Sequence, residues 1–242
     1  MTKIYYPSNV ERYRSLAEKY SKEYLVPVDV ILGTIQKESA GNPKAWNPQN
    51  NENSRGLMQI SEPTAISHPA IKVPFLLLDT LYDPEDNIRA GSALLQWIYN
   101  FLNPYFPKYV DEKLKWMVVS SSYNQGHGYY RNALQSLDKE KRPVTWNNIL
   151  DRVLNPIPSG RTPWVNSAKT YGPSIIDGIP TILLKPVKNP AKFFSTPRQG
   201  SALVNSQSLV GPLHFILLAG SLGALGYLVY TDKSLMKKLG VA

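Results

Sequence analysis

The feature that most constrains the fold is a stripe of apolar residues at helical spacing that leads onto a carboxylate. The stripe consists of Val28, Ile31, Leu32 and Ile35. Pro27 suits the first turn of a helix, and Gly41 with Pro43 ends one, so the spacing predicts a helix between them. One further helical step along the stripe falls on Glu38. The pattern therefore predicts a glutamate on the buried face, at the C-terminal end of a helix.

Two physical effects at this position disfavour the ionised form of Glu38. Burial removes the carboxylate from water, and the C-terminal end of a helix carries partial negative charge. We therefore expect a raised pKa, which a general acid needs in order to donate a proton near neutral pH. Periodicity alone leaves an equal alternative, in which the glutamate ends the helix and turns to solvent.

Other segments repeat the helical pattern, and none gives a convincing strand. Ser8 and Glu11 form a capping box that opens the first helix, whose apolar face continues to Tyr24. Further helices are predicted over residues 86–102, 111–123, 129–137 and 146–154. Residues 42–63 are rich in Asn, Pro and Gly, which indicates a long, structured, functional loop. The sequence thus predicts a mainly α-helical domain over residues 1–177.

The C-terminal part of the chain differs from this domain in composition. Residues 178–208 contain repeated prolines and unopposed basic charge, which is typical of a semi-extended linker. Residues 209–230 carry no charged side chain, and a helix of this length just crosses a hydrocarbon core of about 30 Å. We predict a single transmembrane helix there, with a buried core helix as the alternative. Gly220 and Ala224 have the spacing of a helix–helix contact, and residues 231–242 form a basic tail.

Composition bears on the kinds of site that the chain can hold. It has 242 residues and no cysteine, so disulfides and cysteine nucleophiles are excluded. His68, His127 and His214 lie far apart without metal-ligand spacing, and we expect neither a metal nor a cofactor. The net charge of +9 favours an anionic partner. We expect no nucleic acid, because basic residues beside an apolar span are explained better by anionic lipid.

Four motifs follow one another between residues 10 and 175. They are Glu38-Ser39-Ala40-Gly41-Asn42-Pro43, then Gly56-Leu57-Met58-Gln59-Ile60, then Asp83-Pro84 with Asn87-Ile88 and Ala90-Gly91, and finally Ser122-Tyr123-Asn124-Gln125-Gly126. Together they resemble the soluble lytic transglycosylase (SLT-type) family of the lysozyme superfamily. The resemblance implies a goose-type, lysozyme-like helical domain that cleaves peptidoglycan.

The resemblance also implies roles for individual residues. Glu38 matches the family's catalytic glutamate, at the end of a helix inside the sugar-binding cleft. Met58 and Gln59 match a segment that lines this cleft beside the catalytic carboxyl. Tyr123 and Asn124 match a pair that contacts the substrate near the scissile bond. Their chemistry fits, since a tyrosine ring is a platform for a sugar and an asparagine amide both donates and accepts.

A late family tyrosine that lies close to the catalytic glutamate is best matched by Tyr171. The motif around Tyr171, Ala168-Lys169-Thr170-Tyr171, departs from the family's usual form. The alternative for this residue is an ordinary core tyrosine. The resemblance therefore predicts Tyr171 as the last substrate-site residue.

The number of carboxylates distinguishes two reactions. A hydrolytic glycosidase normally uses two carboxylates. Goose-type lysozymes carry aspartates at positions that correspond, in this chain, to Ser61 and to a site near Asn50, and neither position is acidic here. Glu52 and Glu62 are close in sequence, but Glu52 lies in a polar run and is expected to face water. The sequence therefore favours a lytic transglycosylase, in which Glu38 acts as acid and then as base and forms a 1,6-anhydromuramic acid end. A hydrolytic lysozyme (muramidase) and a non-catalytic, membrane-tethered peptidoglycan-binding protein remain as alternatives.

The location follows from the predicted anchor. The first residues show charges before any apolar run, so no secretory signal peptide is predicted. A cell-wall enzyme anchored through residues 209–230 without an export signal is best explained as a bacteriophage virion protein. Such a protein would open the wall locally during genome delivery. The alternative is a protein of the bacterial cell envelope.

Overall fold

The structure is a computed structural model that describes residues 4–49, 52–71, 75–155 and 162–184. These residues all belong to the first of two units, Met1–Phe193. The predicted transmembrane helix at 209–230, the Gly220/Ala224 contact and most of the predicted linker lie outside the described residues. In the part of the chain that is described, no helix is long and apolar enough to cross a membrane.

The described residues form a mainly α-helical fold, as the sequence predicts. The helices are α1 (Ser8–Glu11), α2 (Arg14–Tyr24), α3 (Val28–Ser39), α4 (Glu62–Ser67), α5 (Pro84–Leu102), α6 (Glu112–Gln125), α7 (His127–Lys139), α8 (Trp146–Leu154) and α9 (Thr162–Ile176), with 3₁₀ helices at Phe75–Tyr82, Asn103–Tyr105 and Thr181–Leu184. Strands β1 (Trp46–Asn47) and β2 (Ser54–Arg55) form a small antiparallel sheet. Its register pairs Trp46 with Arg55 and Asn47 with Ser54.

The core surrounds α6, which packs against α5, α7 and α9. Trp116 on α6 is fully buried, and its Nε1 donates a hydrogen bond to the carbonyl of Leu184 at 3.0 Å. Ile179 and Leu184 are themselves buried in this core. The packed core therefore extends to residue 184, beyond the position near Asp177 where the sequence places the end of the domain.

The predicted capping box at the N-terminus is wrong. Pro7 is the N-cap of α1, Ser8 lies inside the helix, and no side chain caps it. The Glu11 carboxylate instead accepts from Nε of Arg14 at 2.6 Å, so it is not available to reach back to the helix start. The chain then turns at Tyr13, and α2 begins after this turn as a separate helix.

The other predicted helices are present with small differences at their ends. Asp83 caps α5 by accepting from two backbone N–H groups, so this helix begins two residues before the predicted Asp86. Asp111 caps α6, and α8 has the predicted bounds, Trp146–Leu154. The sequence did not predict α4, α9, the 3₁₀ helices or the two-stranded sheet.

Candidate active site

Glu38 lies in the last turn of α3, and its side chain is partly buried. The helix ends at Ser39, and its C-cap, Ala40, has a left-handed backbone with φ of 49°. Helix α1 and the turn after it hold this end in place, because Asn9 donates to the carbonyl of Ala40 and Arg12 donates to the carbonyl of Gly41 at 3.0 Å. The position of Glu38 is therefore fixed by contacts that are distant in sequence.

Burial raises the pKa of the Glu38 carboxyl to about 7. The hydrogen bond from Tyr171 and the positive charge of Lys37 act in the opposite direction, and the negative charge of Glu52 raises the pKa further. Loss of hydration is the largest of these effects, because burial disfavours the charged form of a carboxyl group. The site therefore holds a carboxyl for which both the protonated and the ionised form are accessible near neutral pH.

Tyr171 contacts Glu38 directly, although the motif around it is the least specific in the sequence. Its hydroxyl donates a hydrogen bond to Oε1 of Glu38, and the Tyr171 side chain is buried. The amine of Lys37 lies 5.8 Å from the centre of its ring. Burial raises the pKa of Tyr171 well above its ordinary value, so its hydroxyl keeps its proton and remains a donor.

Two glycines allow α9 to carry Tyr171 this close to Glu38. A Cβ on Gly172 would lie 2.2 Å from Oγ of Ser121, and the Gly172 N–H donates to the same oxygen at 3.0 Å. A Cβ on Gly33 of α3 would lie 2.9 Å from Cγ2 of Ile175 on α9. Because neither glycine has a side chain, α9 approaches both α3 and α6 closely enough to place its tyrosine on the carboxyl.

The Tyr123 side chain contacts the main chain of Met58. The Tyr123 hydroxyl donates to the carbonyl of Met58 at 2.8 Å, and burial raises the pKa of Tyr123 well above its ordinary value. The Met58 side chain is fully buried, and its sulfur occupies the space beside Gly91 on α5. The family resemblance implies that Met58 lies beside the carboxyl in the cleft. In the structure it contributes its carbonyl, while its side chain belongs to the core.

Gln59 and Asn124 differ in exposure. Gln59 has a left-handed backbone with φ of 47°, and its Nε2 donates to the carbonyls of Ala45 and Gly56 at 3.1 and 3.0 Å. This amide ties the segment before α4 to the strand region. Asn124 is exposed at the end of α6, where its Oδ1 accepts from Oγ of Ser167 on α9 at 2.6 Å. Of the predicted binding residues, Asn124 is thus the most accessible from solvent.

The candidate second carboxylates have different surroundings. Glu62 accepts from Arg55 at 3.3 Å and from Asn53 at 3.4 Å, so it is held in a local ion pair. Glu52 is exposed, as the sequence predicts, and it affects the site through its charge. Ser61 is the N-cap of α4. Within the described ranges, no group of three or more His, Asp or Glu side chains could hold a metal ion.

Several residues that position the site show no functional signal in the sequence. Ser39 follows Glu38, and its hydroxyl donates to the carbonyl of Leu57 at 2.7 Å. Asn87 is fully buried and binds the main chain of the Met58 segment. The motifs contain both residues, but their function depends on partners 18 and 29 residues away, which no local pattern reveals.

A carboxyl with a pKa of about 7 can release a proton to a substrate and recover one from it within the same pH range. The protonated Tyr171 hydroxyl donates to one of the carboxyl oxygens. The Tyr123 hydroxyl donates to the main-chain carbonyl of Met58. The site therefore has the parts for general acid–base catalysis by one residue.

Known proteins resemble the chain over this region. The family model for the transglycosylase SLT domain matches residues 15–145. A membrane-bound lytic murein transglycosylase C of Glaesserella parasuis is 33% identical over 120 residues, which covers 48% of this chain and 31% of that protein. The soluble lytic murein transglycosylase of Escherichia coli is 30% identical over 128 residues, covering 50% of this chain and 17% of that protein. The chain thus spans less than a third of either relative.

Among solved structures, an inactive variant of the lytic transglycosylase Slt of Pseudomonas aeruginosa is similar with a TM-score of 0.46 and 20% sequence identity. The similarity covers 70% of this chain and 25% of that one. The family match alone includes more than half of the sequence and contains Glu38, the Met58 segment and Tyr123. This chain belongs to the transglycosylase SLT domain family.

Proposed function

We propose that this protein is a peptidoglycan lytic transglycosylase with Glu38 as its only catalytic carboxyl. The observation that carries the proposal is a partly buried carboxyl whose pKa is raised to about 7 and which accepts a hydrogen bond from Tyr171, in a chain whose residues 15–145 match the SLT domain family. The names of the relatives support the same class of reaction and the same polymer. The bond cleaved is the β-1,4 bond between N-acetylmuramic acid and N-acetylglucosamine.

In the first step, the protonated Glu38 carboxyl donates its proton to the glycosidic oxygen. The bond between this oxygen and C1 of the muramic acid breaks, and the N-acetylglucosamine part leaves with a neutral hydroxyl. A carboxyl whose pKa lies near the working pH is an efficient donor for this step. Positive charge develops at C1 while Glu38 becomes a carboxylate.

In the second step, the Glu38 carboxylate takes the proton from the C6 hydroxyl of the same muramic acid. The C6 oxygen then bonds to C1 and closes a 1,6-anhydro ring, and Glu38 returns to its protonated form. The Tyr171 hydroxyl supports this step because it donates to the carboxylate and keeps Oε1 in place between the two proton transfers. No water is consumed, and no second carboxylate is needed.

We assign substrate binding to Tyr123, Asn124 and Gln59, with Met58 acting through its carbonyl. Asn124 is exposed beside the site and offers an amide to the N-acetyl group of a sugar. Tyr123 is half-buried, so part of its ring can pack against a sugar face while its hydroxyl remains on Met58. Lys37 is exposed next to Glu38 and gives this end of the site positive charge for an anionic polymer.

A hydrolytic lysozyme is the second candidate reaction, and Glu52 is the residue that bears on it. Its negative charge raises the pKa of Glu38, so the two carboxyls are electrostatically coupled. A hydrolase would need a second carboxylate to activate a water molecule or to stabilise the cation. Glu52 is exposed, and within the part of the chain that the structure describes its side chain has no ordering contact like that of Tyr171 on Glu38. The single-carboxylate mechanism is therefore preferred.

The biological setting belongs to the same proposal. We infer that the chain after the packed core, which ends at residue 184, forms a basic linker up to residue 208, and that residues 209–230 anchor the domain in a membrane as a single-pass protein. The membrane-bound relative of Glaesserella parasuis is consistent with an association with the cell envelope. We favour a phage virion protein that opens the wall during entry, over an envelope protein of the host. Finding the protein in purified virions would support the first, and finding it only in uninfected envelopes would support the second.

The experiment that tests the function is the substitution Glu38→Gln, assayed on purified peptidoglycan sacculi. We expect wild type to solubilise the sacculi and the variant to lose this activity with its helical content unchanged. Glu18→Gln is the matched control, because Glu18 is an exposed glutamate on α2. Activity of Glu38→Gln near that of the control would contradict the proposal. An inactive wild type that still binds sacculi would favour a non-catalytic binding protein.

A further inference from the structure

Residues 55–58, which lie between β2 and α4, receive an unusual set of hydrogen bonds. Each of their four carbonyls accepts from a side chain. The donors are Asn87 to Arg55 at 2.9 Å, Gln59 to Gly56 at 3.0 Å, Ser39 to Leu57 at 2.7 Å and Tyr123 to Met58 at 2.8 Å. Three of these side chains come from three different helices, so this short segment connects α3, α5 and α6.

Two of the four contacts come from residues at the candidate active site, Ser39 and Tyr123. Ser39 follows Glu38 directly on α3, and Tyr123 lies on α6. Their acceptors are the consecutive carbonyls of Leu57 and Met58. The distance between the Glu38 end of α3 and the Tyr123 ring therefore depends on the conformation of this one segment. A distortion that displaces one of the two carbonyls relative to the other changes that distance.

Asn87 forms hydrogen bonds with both ends of residues 55–58. It is fully buried near the start of α5. Its Oδ1 accepts from the N–H of Met58 at 2.7 Å, and its Nδ2 donates to the carbonyls of Arg55 and Leu81 at 2.9 and 2.8 Å. One amide thus binds both ends of the segment and the end of the neighbouring 3₁₀ helix, using both of its N–H donors.

The main chain is shaped to admit this amide. Gly56 has φ of 77°, and a Cβ on it would lie 2.3 Å from Nδ2 of Asn87 and 2.1 Å from the carbonyl oxygen of Leu81. Only a residue without a side chain leaves this room and adopts this backbone without strain. The close approach that Gly56 permits is therefore to Asn87, and the pair functions as one unit.

We propose that Asn87 is a positioning residue for the reaction at Glu38: it fixes residues 55–58 and so sets the distance between Glu38 and Tyr123. This inference rests on the proposed function for its kinetic consequence. The contact itself is buried, so Asn87 does not touch substrate. Its loss should lower kcat through misplacement of the reacting groups, while substrate binding, measured by KM, changes little.

The test uses Asn87→Asp in the full chain, with soluble, uncrosslinked peptidoglycan strands as substrate. The aspartate keeps the acceptor for Met58 but loses the donors for Arg55 and Leu81, and its charge faces two carbonyl oxygens. We expect kcat to fall about 10- to 100-fold at pH 7, with KM within about threefold of wild type. Protonation restores one donor, so the ratio of variant to wild-type kcat should rise as the pH falls.

The matched control is Gln96→Glu, the same amide-to-acid change in the same helix. Gln96 is also buried, and its Nε2 donates to Asn100 at 2.8 Å, away from residues 55–58. This variant should lose stability but keep kcat. Wild-type kcat in Asn87→Asp would overturn the proposal, and so would an equal loss of kcat in both variants.

A second measurement covers two further outcomes. If Asn87→Asp does not fold, Asn87→Ser removes the contacts without burying a charge and should show the same loss of kcat at every pH. If wild type is inactive on the strands, the proposed function fails, and amide hydrogen exchange then tests the positioning alone. The Met58 N–H should exchange slowly in wild type and far faster in Asn87→Ser, whereas equal exchange in both would overturn the proposal.

Discussion

The Tyr171 hydroxyl donates a hydrogen bond to Oε1 of Glu38, and the two residues are separated by 133 positions in the sequence. The contact joins the last turn of α3 to the middle of α9. It opposes the effect of burial, because it stabilises the carboxylate and lowers the pKa of Glu38. The balance of the two effects leaves the carboxyl able to act in both proton transfers of the proposed reaction.

The first prediction concerns Tyr171→Phe. Removal of the hydroxyl should raise the pKa of Glu38, so the limb of the kcat/KM profile near pH 7 should move to higher pH. Turnover should also fall about tenfold, because the carboxyl loses the contact that orients it. The control is Tyr99→Phe, which removes a hydroxyl bonded to Glu112 at 3.0 Å, outside the site. An unchanged pH profile in Tyr171→Phe would show that this contact does not tune Glu38.

The second prediction links the pKa of Glu38 to stability. The folded-state pKa of about 7 lies above the ordinary 4.5, so between these pH values the folded state binds more protons than the unfolded state. The free energy of unfolding therefore decreases as the pH rises through this window. Glu38→Gln removes the penalty and should be more stable than wild type by about 1–3 kcal/mol at pH 8, with no gain at pH 4. Urea unfolding at both pH values measures this, and a gain of equal size at both would contradict it.

The third prediction concerns the close packing of α9 against α6 at Gly172. Gly172→Ala places a methyl group 2.2 Å from Oγ of Ser121 and 2.3 Å from the carbonyl of Met117, so α9 must move. We expect a loss of about 1–3 kcal/mol in the free energy of unfolding, together with reduced activity as Tyr171 shifts. Gly178→Ala is the control, since a Cβ there meets nothing within 4 Å. Equal stability of the two variants would show that this close approach is not required.

The fourth prediction separates one-carboxylate from two-carboxylate chemistry. Glu52→Gln removes a charge that raises the pKa of Glu38, so the pH profile should move slightly to lower pH. Turnover should stay within about threefold of wild type, because loss of an exposed charge removes little more than a screened interaction. A loss as large as that in Glu38→Gln would instead assign Glu52 a catalytic role and favour the lysozyme reaction.

Local patterns in the sequence predicted most of the helices. The bounds of α8 agree with the prediction, and Asp111 and the apolar spacing after it give the start of α6. The helical spacing predicts that Glu38 lies on the buried face of its helix. It also predicts the direction of the pKa shift of Glu38, which is upward. These features depend on residues within three or four positions of one another, which is the range that periodicity reads.

The features that were missed depend on distant contacts or on very short elements. Helix α9 contains Pro173 and a mixed polar face, so its pattern is weak. The strands have two residues each, too few for alternation to appear. The Ser8 capping box had the right residues, but Arg14 takes the Glu11 carboxylate. The support of the site by Asn87 depends on pairing across 29 residues, which a single sequence does not display.

The central claim is that one carboxyl, Glu38, performs both proton transfers without water as a reactant. Mass spectrometry of the products from purified sacculi tests it most directly. We predict that wild type releases muropeptides ending in 1,6-anhydro-N-acetylmuramic acid and that Glu38→Gln releases none. Products with reducing N-acetylmuramic acid ends alone, 18 Da heavier because water has been added, would contradict the account and identify a hydrolase.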